Sequence, residues 1–81
     1  MPTIHTLGSI KIDVYSRDHL PPHFHVIYAE REALIIIRTL GIYAGSLPPA
    51  QLKTVLNWAK DPIIMKMLLD NFNRLNPNLR Q

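Results

Sequence analysis

The hydrophobic period of this chain changes once, at Pro48-Pro49, and that switch limits the folds open to it. Before it, Ile10, Ile12 and Val14 alternate with Lys11, Asp13 and Tyr15, the two-residue repeat of a half-buried strand. After it, Leu52, Val55, Leu56 and Ala59 recur at i, i+3, i+4 and i+7, the stripe of an amphipathic helix. Strands followed by helices is the α+β order. The expectation is a small antiparallel sheet of three to five strands within about residues 3–45, then helices at about 48–60 and 62–75. An 81-residue chain has room for one such domain and no second core.

Turn chemistry places the elements. Gly8-Ser9 joins a first strand, Thr3 to Leu7, to the Ile10–Val14 run as a hairpin. Pro21 and Pro22 lack N–H donors, so 17–22 is a stiff loop. His23 to Tyr28 alternates again, with Phe24, Val26 and Tyr28 on one face and His23, His25 and Ile27 on the other. Ala29 to Glu32 reads as a turn, and Ala33 to Thr39, apolar on both faces up to Arg38, as the central strand. Gly41 ends it before one more short strand at Ile42 to Ala44. Asp61-Pro62 is a helix start, with Asp as cap and Pro at the first helical position. The second helix carries Ile64, Met67, Leu68, Phe72 and Leu75 on its apolar side, and Lys66, Asp70 and Arg74 as i, i+4 charge pairs on the other. Asn76-Pro77 stops it, and the last residues are expected to fray.

Composition removes several classes. With no cysteine there are no disulfides and no thiolate metal sites, so any metal must be held by His, Asp or Glu. The longest apolar run, Ala33 to Ile37, is far below the roughly 20 residues of a membrane span. Met1-Pro2-Thr3 leads straight into strand sequence without the basic and apolar regions of a secretory signal, so a cytoplasmic location is expected. The net charge of +3 lies wholly in residues 41–81, because residues 1–40 balance. A basic helical half admits an anionic partner such as RNA, though surplus charge of this size is commonly just solvated.

Chemistry concentrates in one place. Three of the four histidines, His19, His23 and His25, fall within seven residues. His23 and His25 are two apart on a strand and therefore leave the same face, and His19 can reach over from the loop. As neutral donors these three can take a divalent metal, with Asp13 or Asp18 as an oxygen ligand or orienter. As an acid–base pair, His23 and His25 can divide proton transfer, with Asp18, His19 and Tyr15 beside them and Arg17 or Arg31 as the cation for phosphate charge. Against both stands a structural role in which the imidazoles cap backbone groups or pair with Asp18. Lone His5 reads as a surface residue, Trp58 as packing, and Arg38 as a strand-end charge. The spacing His23-x-His25-x4-Glu30 also resembles the cupin metal motif, but the chain is too short for that double-sheet roll.

The stretch from Tyr15 to Val26, with its core Asp18-His19-Leu20-Pro21-Pro22-His23-Phe24-His25, resembles the hallmark of the bacterial domain-of-unknown-function 4160 family. The resemblance extends to Met1-Pro2-Thr3-Ile4, Tyr28, Gly45-Ser46-Leu47-Pro48 and Trp58. Two positions depart from the pattern: Asn71-Phe72 stands where Asn-Trp is expected, and Ala29 where glycine is common. The resemblance implies a compact stand-alone protein often encoded beside another small one, hence a toxin–antitoxin-like component, and assigns no substrate. With the histidine cluster and the basic helical half, the expectation is that it binds or cleaves RNA. Its matching site residues here are Asp18, His19, Pro21, Pro22, His23 and His25. The competing functions are a non-enzymatic interaction module, homodimer or heterocomplex through a sheet edge, and a His-based metal-binding protein.

Overall fold

The computed structural model describes residues 3–79. Five strands form one antiparallel meander in chain order: β1 (Thr3–Leu7), β2 (Ile10–Asp13), β3 (His23–Tyr28), β4 (Arg31–Ile36) and β5 (Ile42–Gly45). Helices α1 (Pro49–Ala59) and α2 (Pro62–Leu75) follow, and a short 3-10 turn spans Pro77–Leu79. The α+β reading, the five-strand limit of the sheet and both helices match the sequence expectation. Met1 and Pro2, part of the family resemblance, and the last two positions, expected to fray, lie outside the described residues.

The pleat explains the core. Register pairs Ile12 with Val26 and Val26 with Ala33, and Phe24 with Ile35, so one face of β2, β3 and β4 presents these apolar side chains together. Val55 and Ala59 of α1 and Leu68 and Phe72 of α2 join them in one buried cluster. Trp58 sets its ring edge-on to Phe24 and stacks on the exposed His5, their centroids 4.9 Å apart. Trp58 is therefore packing, as its place near the helix stripe implied. Asp61 caps α2 by accepting the Ile63 N–H at 2.9 Å, with Pro62 at the first helical position. Of the expected charge ladder, Lys66 pairs with Asp70 at 2.8 Å, whereas Arg74 donates to Asn71 instead.

Two strand assignments need correction. The β3–β4 turn is only Ala29-Glu30, so Arg31 and Glu32 belong to β4. The central strand is β3, with β4 beside it; the unbroken apolar run in 33–37 reflects helix cover on one side and partial cover on the other. The short turn works because Ala29 takes φ 54°, the left-handed region where a Cβ is disfavoured. That is the position at which the sequence resemblance leads to an expectation of glycine.

Gly45 has the same backbone sign, φ 77°, and a stronger reason for it. A Cβ there would collide with the Glu32 carbonyl oxygen, to which Ser46 N–H donates at 3.2 Å. Gly45→Ala should therefore cost about 1–3 kcal/mol. A thermal melt followed by circular dichroism measures this, and an unchanged midpoint would mean that β5 does not lie this close to β4 in solution.

Candidate functional site

The loop from β2 to β3 folds back over the start of β3 and brings Asp18 onto the histidines. Leu20–Pro21 is a cis peptide. The loop is anchored from the far end of the chain by Asn76, just past α2. Its side-chain oxygen accepts the Asp18 N–H at 2.7 Å, and its amide donates to the Tyr15 and Phe72 carbonyls at 2.9 and 3.0 Å. Asn76 is buried; its bond to Phe72 is fully buried and the two to the loop partly so.

His23 is fully buried, with the Phe72 ring 5.7 Å away on one side and His19 4.9 Å away. Its Nδ1–H donates to the Pro21 carbonyl at 2.8 Å. His25 is 14% exposed and donates Nδ1–H to Glu32 Oε2 at 2.9 Å. Both rings thus spend Nδ1 on an acceptor and turn Nε2 toward the same atom, Asp18 Oδ2, at 3.1 Å from His23 and 3.0 Å from His25. The His23 contact is close, yet its direction does not make a hydrogen bond, and this buried Nε2 is left without a partner among the described residues. Ligand atoms from Asp18, His23 and His25 lie within 4.8 Å of one another.

This arrangement asks for positive charge between the three atoms. His25 Nε2 stands at hydrogen-bond distance, 3.0 Å, from Asp18 Oδ2. With Nδ1–H given to Glu32 it can donate there only as an imidazolium, and in neutral rings both Nε2 atoms turn lone pairs to the carboxylate. Supplying protons would make two imidazoliums whose centroids lie 5.2 Å apart, one of them sealed from solvent, and buried charge is costly. A cation satisfies all three at once. Metal–ligand bonds of about 2.1 Å set neighbouring donors about 3.0 Å apart at right angles and about 3.4 Å apart at tetrahedral angles. The observed N···O separations of 3.0 and 3.1 Å fall at the right-angle value.

Other expected site residues divide differently. His19 is exposed at 57%, and its Nε2 reaches only 3.6 Å from Asp18 Oδ1. Its Nδ1–H donates to Leu20 O, and its backbone N–H donates to Asp18 Oδ1. The expected trio of His19, His23 and His25 is therefore not the one that converges; Asp18 takes the place of His19. Asp13 is consumed by the hydroxyls of Thr3 and Tyr15. Tyr15 meets His25 edge-on at 4.5 Å. Burial, and then the Asp13 carboxylate, push its phenol above its ordinary value of 10.0, which keeps it a neutral wall. Arg31 sits opposite Tyr28, at the far end of β3 from His23, whereas Arg17 borders the cluster. Sequence reasoning missed Glu32 and Asn76. The first was legible in principle: with a two-residue turn, Glu32 falls opposite Ile27 and so on the His25 face. Asn76 left no signal beyond a helix stop.

Asp18 itself responds to these neighbours. Burial raises its carboxyl. Hydrogen bonds from His25 and the His19 N–H, with the charge of His23 and His25, outweigh that and leave it below its ordinary 3.8. A depressed folded-state value stabilises the fold above the unfolded value, and that contribution is lost as pH falls through the folded one. The midpoint should therefore drop below about pH 4 more steeply for the native chain than for Asp18→Asn. Parallel slopes in melts between pH 2 and 5 would show that Asp18 gains no such support.

The family described as Domain of unknown function (DUF4160) matches residues 9–62, two thirds of the chain, from the first hairpin through the whole histidine loop to the start of α2. The chain belongs to this family. No match to a curated protein or to a solved structure was found. Membership therefore assigns the histidine loop to a recognised sequence group and leaves its chemistry to be argued from geometry. Among the described residues no helix is long and apolar enough to cross a membrane.

Proposed function

We propose that this DUF4160 protein binds a divalent metal through His23 Nε2, His25 Nε2 and Asp18, with Glu32 and the Pro21 carbonyl orienting the two rings. The observation that carries this reading is the buried, unpartnered Nε2 of His23, aimed at the same oxygen as its neighbour. Metal-bound histidines ordinarily donate their other ring N–H to a carboxylate or a backbone carbonyl, and both rings here do so. Two histidines and one carboxylate suit an ion with further coordination positions open, the donor set of many divalent iron sites and one open to manganese, nickel or zinc. Such an ion supplies Lewis acidity and an activated water.

Calorimetric titration of the full chain with Zn, Ni, Co and Mn should give one site per chain and a raised melting temperature, since metal binding only the folded form must stabilise it. Glu32→Gln should lower the affinity about 10–100-fold through loss of ring orientation. Absence of both heat and thermal shift for all four ions would refute the proposal.

The RNA-directed, toxin–antitoxin-like reading draws less support. It needs both imidazoles on the substrate, and His23 is sealed from it. The basic helical half and the cleft beside His25 are what speak for it. A partner-binding role rests on the exposed β5, where Ile42 and Tyr43 are nearly half exposed.

A further inference from the structure

A cleft of about 430 Å³ opens beside the cluster, lined by Tyr15, Ser16, Arg17, Asp18, His25 and Glu32. Two of the three ligand residues border it, while buried His23 is not part of its lining. Arg17 is exposed and makes no ion pair among the described residues. It takes the left-handed region at φ 57°, a conformation side chains avoid. Asn76 holds it there by bonding the backbone on both sides, at Tyr15 and Asp18. Charge decides what such a cleft admits. Arg17 against Asp18 and Glu32 leaves one net negative charge, which repels anions; a divalent ion reverses it to one net positive charge.

We infer that the metal's open side faces this cleft and that ion and Arg17 together hold a small oxyanion of the carboxylate or phosphate type. The inference rests on the metal reading above and extends it to the ligand. A guanidinium presents parallel donors that match two oxygens of either group; a phosphate reaches the ion with a further oxygen, and a carboxylate with one of its two oxygens shared between fork and ion. Because the ion creates the favourable charge, metal and anion bind with positive coupling, each tightening the other by the same factor.

Cobalt(II) reports on both events. The full chain loaded with cobalt is titrated with acetate, and separately with inorganic phosphate, at constant ionic strength in perchlorate. The visible bands should shift saturably with at least one of these anions, and whichever shifts them identifies the preferred group. Arg17→Gln should keep cobalt affinity within about threefold and weaken the anion about tenfold or more, with Arg17→Lys between them because charge survives without the fork. A cobalt spectrum that neither anion alters, a shift that chloride reproduces equally, or an Arg17→Gln variant with native anion affinity would each overturn the inference while leaving the metal site intact. No cobalt spectrum at all would overturn the metal reading, and this inference with it. Arg17 is exposed, so both variants should fold, and their melting curves check that directly.

Discussion

Asn76→Ala lowers the melting temperature by about 12–24 °C and loosens the Asp18 loop at the same stroke. The side chain satisfies three backbone groups at 2.7, 2.9 and 3.0 Å, on two segments some sixty residues apart in sequence. Alanine leaves the part-buried Asp18 N–H and Tyr15 carbonyl without the amide that satisfied them. Stranded buried groups cost about 1–3 kcal/mol each, and partial hydration of the loop offsets some of that, so about 3 kcal/mol is expected. In a domain of this size each kcal/mol moves the midpoint by about 4–8 °C. Since small domains bury a modest share of their surface, that loss is a large part of the total. Asn76→Asp keeps the acceptor for Asp18 but turns a carboxylate toward two carbonyls, and should be worse than its small change in shape suggests. Melting curves of both variants check this; a shift under about 3 °C would mean the helix end does not hold the loop.

Asn76 also marks where sequence reasoning stops. The sheet and helices follow from local rules: alternation over Ile10–Asp13 and His23–Tyr28, the 3.6-residue stripe of α1, and the Asp61-Pro62 cap. Each is a preference that a few neighbouring residues express. The pairing of His23 and His25 on one side was legible for the same reason, since a pleat sends alternate side chains the same way. What turns two histidines into a convergent site is non-local. Asp18 arrives through a loop whose path is set by Asn76, 58 residues downstream, and nothing in Asn-Pro at a helix end announces a second duty. Glu32 was hidden by a turn assigned two residues too long. Ala29 accepts a left-handed backbone that sequence preference assigns to glycine, so the β4 register moved and Glu32 with it. Had the turn been placed at Ala29-Glu30, the carboxylate would have fallen on the histidine face by counting alone. His19 shows the reverse: nearness in sequence suggested a ligand, and its exposed ring stacks on His23 with Nδ1 bonded to Leu20 O and Nε2 3.6 Å from Asp18 Oδ1.

His23→Leu separates a binding histidine from a structural one, because the two roles predict opposite results. If His23 serves the fold, its loss removes a buried anchor, and the domain should lose about 2 kcal/mol or more. The geometry argues otherwise. The ring makes one good bond, to the Pro21 carbonyl, worth about 1 kcal/mol. Against that stands a buried nitrogen with no partner, held 3.1 Å from a carboxylate oxygen. Leucine fills similar volume beside Phe72, restores apolar contact, and removes that nitrogen. Replacing an ill-satisfied buried polar group with a fitting hydrophobe is commonly neutral or stabilising. The melting temperature without metal should therefore stay within about 5 °C of the native chain or rise. Metal affinity should fall by about a thousandfold or more, since one of three protein ligands is gone and Asp18 and His25 alone cannot enclose an ion. A site that trades stability for binding behaves in this way. A melting temperature lowered by 10 °C or more with metal affinity untouched would make His23 a structural residue, and would leave its orphaned nitrogen as a tolerated cost of the fold.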